Sequence, residues 1–180
     1  MDNLIRVYDN VIDSEYCKKL IDRFESNKQL HQSFDDRGMI FTQINIQKEG
    51  WYNDVNILSK VFQDNVDRYK KDCKIEKQQM PMNYILEPIR MKRYLPNNHD
   101  EFQTHVDVNQ RMNCTRFLVM FLYLANNKKG KTIFPNLDVE IECKQGSLLM
   151  FPPMWPWLHA GQKPARISKY IMQSYLHYVN

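Results

Sequence analysis

The chain has 180 residues, 43% hydrophobic and 26% charged, with a formal net charge of +4 and only five glycines. That length suits one domain with a sizeable core, and the composition excludes the disordered, collagen-like and low-complexity classes. The longest uninterrupted apolar run, residues 117–125, is nine residues long, against about 20 for a membrane-spanning helix, so no span is expected.

The opening, MDNLIRVYDNVIDSEY, scatters acidic residues through a stretch with no apolar run of signal-peptide length, and a cytoplasmic protein is expected. The spacing of Tyr16, Cys17, Leu20, Ile21 and Phe24 predicts a helix capped by Ser14 and ending near Asn27. Residues 40–46 alternate as a strand does. A second helix is expected from about Asn53, with Val55, Leu58, Phe62, Val66 and Tyr69 on one face and a basic last turn suited to the helix dipole.

After Pro81 the period changes. Two-residue alternation or short continuous apolar runs predict strands at 89–95, 116–125, 132–134, 139–143, 147–151 and 169–178, separated by Asn, Gly and Pro turns. Helices before many short strands predict one α+β domain over 1–180. Its helical part, about 1–85, covers one sheet of a sandwich or barrel at about 86–180.

Cys17, Cys73, Cys114 and Cys143 lie far apart with no C-x-x-C pair, which predicts free thiols rather than a zinc ribbon or a disulfide framework. The 25 basic residues are mixed with 21 acidic ones, and the densest basic cluster, residues 68–74, reads as a solvated helix face; no nucleic-acid binding is predicted.

Five histidines allow a complete search for metal sites. His105 and Asp107 stand two apart, so on an extended strand both point to one side and can share an ion. Alone the pair is weak, because with 21 carboxylates roughly one histidine in eight has an acid two places on; His99 and Glu101 match as well. A surface His-Asp contact remains open at this point. The signal rises with His159, downstream in FPPMWPWLHAG, since two histidines and a carboxylate occupy one octahedral face and leave three cis positions, an arrangement suited to ferrous iron. Lys169 opens the strand KYIMQSYLHY, whose alternation puts Lys169, Ile171, Gln173 and Tyr175 on one face. An ammonium at the base of an apolar pocket calls for an anion, which a dicarboxylic acid supplies.

Taken in order, RYLPNNHDEFQTHVD, RFLVMFLYL, GKTIFP, CKQGSLLMFPP, HAG and KYIMQSYLHY resemble the iron(II)- and 2-oxoglutarate-dependent dioxygenases, specifically the prolyl 4-hydroxylase-like branch. VYDNVIDSEYCKKLID resembles that branch's first strand and helix. The likeness spans most of the chain except about residues 30–85.

The resemblance implies a double-stranded β-helix (jelly-roll) core, with His105, Asp107 and His159 as Fe(II) ligands and catalytic residues, and Lys169 paired with the distal carboxylate of 2-oxoglutarate. It places Thr132 and Tyr94 at further co-substrate contacts and Arg116 on the peptide-binding side. Tyr94 shares its strand face with Arg90 and Lys92, a pattern that a solvent face also shows. Arg116 equally suits a structural ion pair. Trp155 and Trp157, beside His159, are expected at the entrance, with Trp155 as a substrate contact.

The implied activity is hydroxylation of a prolyl residue in a peptide or protein, consuming O2 and 2-oxoglutarate, releasing succinate and CO2, and using ascorbate as reductant. Three departures bear on substrate identity: Lys129, Gly130 and Lys131 replace a two-glycine pattern, Pro164 and Ile167 replace a Pro-Val and a Gly, and the loop before His105 lacks its glycine. The same chemistry on a free amino acid, another side chain or a nucleobase stays open, as does a catalytically silent jelly-roll binding module.

Overall fold

The computed structural model describes residues 4–36, 38–47 and 50–179. The first helix, α1 (Ser14–Ser26), starts one residue earlier than the Ser14 cap implies: Asp13 is the N-cap, and its carboxylate accepts the Tyr16 backbone N–H at 2.7 Å. An acid at this position also meets the positive end of the helix dipole. The second helix, α2 (Tyr52–Asp72), carries Lys70 and Lys71 in its last turn, as expected. Buried Asp54 of α2 clips the two helices together by accepting from the Tyr16 hydroxyl at 3.0 Å and from Arg23.

The described residues form twelve strands: β1 (Arg6–Tyr8), β2 (Gln32–Asp36), β3 (Met39–Asn45), β4 (Tyr84–Leu86), β5 (Arg90–Tyr94), β6 (Glu101–His105), β7 (Arg116–Tyr123), β8 (Asn127–Phe134), β9 (Val139–Cys143), β10 (Leu148–Phe151), β11 (His159–Gly161) and β12 (Lys169–Tyr178). All pairings are antiparallel, in the order β1-β10-β7-β12-β5-β3-β6-β11-β8-β9, with β2 beside β3 and β4 beside β12.

The first third, expected as two helices with one strand at 40–46, has that strand as β3 and two further ones, β1 and β2, so it is less helical than expected. β1 adds to β10, and β3 is the link between the two halves of the sheet: Thr42–Asn45 pair with β5, while Met39 and Ile40 pair with β6. β1 is too short to show a period, and β2, QSFDD, is exposed throughout and so has no apolar alternation to read.

The sheet curls until its ends face one another. The Tyr123 hydroxyl of β7 meets the Thr132 hydroxyl of β8 at 2.7 Å, and Phe151 of β10 packs edge-on against Phe134 of β8 at 4.8 Å. Two cores result, and β7 explains why its apolar run is continuous. Leu118, Met120 and Leu122 pack toward α1 and α2 with Phe24, Leu58, Phe62 and Val66, while Val119, Phe121 and Tyr123 face inside the roll with Phe134, Phe151 and Ile171. A strand buried on both faces loses its polar alternation. Each large apolar side chain so buried contributes about 1.5–3 kcal/mol. None of the four cysteines forms a disulfide among the described residues, and no helix among them is long and apolar enough to cross a membrane.

Candidate active site

Backbone pairing brings the two histidines together. His105, the last residue of β6, lies directly opposite His159, the first of β11, and their ring centroids are 4.3 Å apart. Asp107 sits just beyond the end of β6 rather than on the strand, in a loop fastened by the Val108 N–H donating to the Pro153 carbonyl at 3.1 Å. Its carboxylate lies between the imidazoles, with Oδ1 3.5 Å from His105 Nε2 and Oδ2 3.4 Å from His159 Nε2. One ligand atom from each of the three residues fits within 4.8 Å of the others.

The outer edges of both rings are held by backbone. His105 Nδ1 meets the Gln103 carbonyl at 2.8 Å and His159 Nδ1 meets the Trp157 carbonyl at 3.0 Å. A carbonyl only accepts, so each Nδ1 carries the proton and each Nε2 presents a lone pair toward Asp107. Asp107 Oδ2 and His159 Nε2 are buried without a hydrogen-bond partner. Orphaned buried acceptors of this kind cost about 1–3 kcal/mol unless something fills the gap. A divalent cation fits: two imidazole nitrogens and one carboxylate oxygen are a ligand set for ferrous iron, with open positions left over.

Electrostatics suit the same role. Burial alone pushes Asp107 up, but His159, His105 and the Tyr175 hydroxyl outweigh it and hold the carboxyl well below its usual range. Burial pushes His159 down to about 4 against the pull of Asp107. The site therefore presents an ionised carboxylate and a neutral imidazole, the forms that bind metal.

Behind the triad is a pocket lined by Lys92, Tyr94, Phe102, His105, Phe121, Thr132, His159, Gly161, Lys169, Ile171 and Gln173. Lys169, the first residue of β12, is opposite Tyr94 of β5, and its ammonium lies 5.6 Å from the Tyr94 ring centroid and 5.8 Å from that of Tyr123. It is buried, and among the described residues no carboxylate pairs with it. Gly161 leaves space here, since a Cβ on it would stand 3.7 Å from Lys169 Nζ. Lys169, Tyr94 and Thr132 thus converge with His105 and His159 on one cavity.

Two other expected residues lie outside that lining. Arg116 binds Glu87 through two hydrogen bonds, of 2.6 and 2.9 Å, and its guanidinium stacks 3.9 Å from the Tyr175 ring centroid. Its link to the site runs through Tyr175. Trp155 is 78% exposed in the turn before His159, whereas Trp157 is buried in the inner core, where its carbonyl positions His159.

Several residues at the site were not singled out in the sequence. Tyr175 donates to Asp107, Tyr123 braces Thr132, and Asn127 accepts from the Gly130 N–H and donates to the Ile167 carbonyl, which fastens the loop leading to Lys169. The Arg90-Lys92-Tyr94 face is not a solvent face: Lys92 and Tyr94 are both buried, facing inward. Alternation along β12 was the available signal for Tyr175.

The family model for the 2OG-Fe(II) oxygenase superfamily matches residues 89–177. The matched segment belongs to that superfamily. In fold it is similar to a viral collagen prolyl hydroxylase from Paramecium bursaria Chlorella virus-1, solved with 2OG, at TM-score 0.75 and 18% identity over 98% of this chain and 97% of that one. It is also similar to a Trichoplax adhaerens prolyl hydroxylase solved with a hypoxia inducible factor peptide, at TM-score 0.77 and 16% identity over 97% and 84%. A Pseudomonas putida prolyl-4-hydroxylase gives TM-score 0.69 and 11% identity over 98% and 94%. A search of curated protein sequences finds no match. The jelly-roll expectation thus holds.

Proposed function

We propose that this protein is a dioxygenase that hydroxylates a prolyl residue in a peptide or protein, with ferrous iron held by His105, Asp107 and His159 and 2-oxoglutarate as co-substrate. The observation that carries the reading is the pair of orphaned acceptors, Asp107 Oδ2 and His159 Nε2, meeting His105 Nε2 near a buried Lys169 that no carboxylate pairs with among the described residues. Bound there, the metal and 2-oxoglutarate supply oxidative decarboxylation, to succinate and CO2, coupled to insertion of one oxygen atom into a substrate C–H bond.

The chain's own residues bind, orient and exclude water. Backbone carbonyls aim both imidazoles, and Tyr175 fixes the Asp107 carboxylate. Lys169 takes the distal carboxylate of 2-oxoglutarate, assisted by Thr132 and Tyr94. Phe102, Phe121, Phe134 and Phe151 wall the centre, with His105 stacked on Phe102 at 3.9 Å and His159 against Phe151 at 4.8 Å. An apolar wall keeps competing water from a reactive site. Trp155, exposed in the turn that precedes His159, and Arg116, held behind Tyr175, belong to the substrate side of this reading. Likeness in fold to three prolyl hydroxylases, one solved with a peptide, supports a prolyl peptide as substrate.

The test is succinate release by the purified protein supplied with Fe(II), 2-oxoglutarate and ascorbate, with and without proline-containing peptides. Peptide-stimulated succinate, with a mass gain of one oxygen on proline and loss of both in Asp107→Ala, is expected. Co-substrate binding without stimulation by any proline compound would sink the prolyl assignment, and no binding of metal or 2-oxoglutarate would sink the oxygenase reading.

A further inference from the structure

Lys92 has no role in the chemistry described so far, although it lies in the same pocket. It is 6% exposed, and among the described residues its ammonium makes no hydrogen bond or ion pair. Two rings flank it, the Phe41 ring centroid at 4.4 Å and that of Phe102 at 5.2 Å, and the Asp107 carboxylate attracts it from beyond ion-pair distance. On β5 it stands two residues from Tyr94, on the same face, with Ile171 of β12 on one side and Gln43 of β3 on the other. Gln43 is buried and directly opposite in the ladder, so it shares that face, and its amide also makes no hydrogen bond among the described residues.

A buried ammonium enclosed by two phenyl rings recovers only part of its lost hydration from the rings and needs an anion for the rest. On the reading given above, the pocket's other charges are already matched. Asp107 and the other carboxylate of 2-oxoglutarate would balance a divalent ion, and Lys169 would balance the distal carboxylate. Lys92 is left over, beside His105 and within the same lining. We propose that Lys92, with Gln43 beside it, anchors a carboxylate carried by the substrate, so that the group hydroxylated lies next to an acidic side chain or next to a free carboxyl terminus. This inference rests on the oxygenase reading of the site but not on proline being the target.

The experiment uses the full chain loaded with Mn(II), which binds without turnover, and saturating 2-oxoglutarate, with carbon-13 acetate as a probe carboxylate. Relaxation of acetate by the manganese reports its binding near the metal. Expected is a saturable acetate site about tenfold weaker in Lys92→Met and retained in Lys92→Arg, the loss corresponding to one charge-assisted hydrogen bond. Lys92→Met replaces a buried charge by an apolar chain of similar length, and Lys92→Gln serves if it fails to fold. Equal acetate relaxation in wild type and the variant overturns the proposal. So does a tenfold rise in half-saturating 2-oxoglutarate in Lys92→Met, which would assign Lys92 to the co-substrate.

A second arm measures succinate release with peptides carrying Glu or Gln at each position flanking a single proline, and with free proline against its amide. Preference for Glu over Gln that vanishes in Lys92→Met identifies a side-chain source, and preference for the free acid over the amide identifies a terminal one. Stimulation without either preference overturns the proposal. If no proline compound stimulates succinate, the prolyl reading fails while the acetate measurement still decides the role of Lys92.

Discussion

The Tyr175 hydroxyl donates a 2.7 Å hydrogen bond to Asp107 Oδ1 across 68 positions of sequence. Behind it, Arg116 stacks on the Tyr175 ring and is itself held by Glu87, so a chain of three contacts runs from Glu87 through Arg116 of β7 to the central carboxylate of the triad. Burial, together with the nearby Asp107 charge, raises the Tyr175 hydroxyl well above its ordinary range, which keeps it protonated and donating. Tyr175 is thus a positioning residue for the Asp107 carboxylate.

Tyr175→Phe is therefore expected to weaken Mn(II) binding about tenfold, the usual scale for losing a partner of a metal ligand. The metal-free variant should also lose about 1–3 kcal/mol of stability, because a buried carboxylate oxygen is left with one fewer donor. Metal titration and chemical denaturation measure the two effects. Unchanged affinity would show that Asp107 is held without this bond.

Metal should stabilise the folded chain. At a free Mn(II) concentration one hundred times Kd the gain is about 2.7 kcal/mol, a rise of roughly 5–10 °C in Tm for a chain of this size. Asp107→Ala is expected to abolish the rise. A shift as large in the variant as in wild type would place the metal elsewhere.

Lys169→Met should raise half-saturating 2-oxoglutarate about 10–100-fold, the worth of a charge-assisted pair in a buried site, with metal affinity nearly unchanged. Thr132→Val, which removes the hydroxyl bonded to Tyr123 at 2.7 Å, should produce a smaller rise of about fivefold. Calorimetric titration of the Mn(II) form separates the two. A Lys169→Met variant that binds normally would remove the co-substrate assignment.

Stability should depend on Lys92 in a defined direction. Burial pushes its ammonium down to about 7 from 10.5, so between these values the unfolded chain holds a proton that the folded, ligand-free chain has released. Stability then rises with pH from about 7 toward 9, before the buried thiols and tyrosines, whose values are raised, begin to act in the opposite sense. Lys92→Met should be more stable than wild type at pH 7 by a few kcal/mol, on the order set by about 1.4 kcal/mol per pH unit, and should lose this slope. Denaturation midpoints of the metal-free proteins at pH 7, 8 and 9 provide the comparison. A flat wild-type profile would contradict the burial of a charged Lys92.

By itself the sequence determined the two helices, whose 3.6-residue stripes are set by local spacing, and most long strands of the roll. It also yielded the candidate set of His105, Asp107, His159 and Lys169, because these stand in short ordered motifs with a chemical reason for each residue type. Tertiary structure decided the rest. β1 and β2 are too short or too polar to carry a period, and they exist because β10 and β3 offer open edges. The face bearing Lys92 suits a solvent face and a pocket equally in the sequence, and β3 and β12 flank it and close it inward. Arg116 and Tyr175 meet only through the long β7–β12 ladder, where Arg116 pairs beside His177 and Val119 lies opposite Tyr175. Local patterns encode which backbone period a segment takes; which buried charge faces which carboxylate depends on strand order, which pairs residues far apart in the chain.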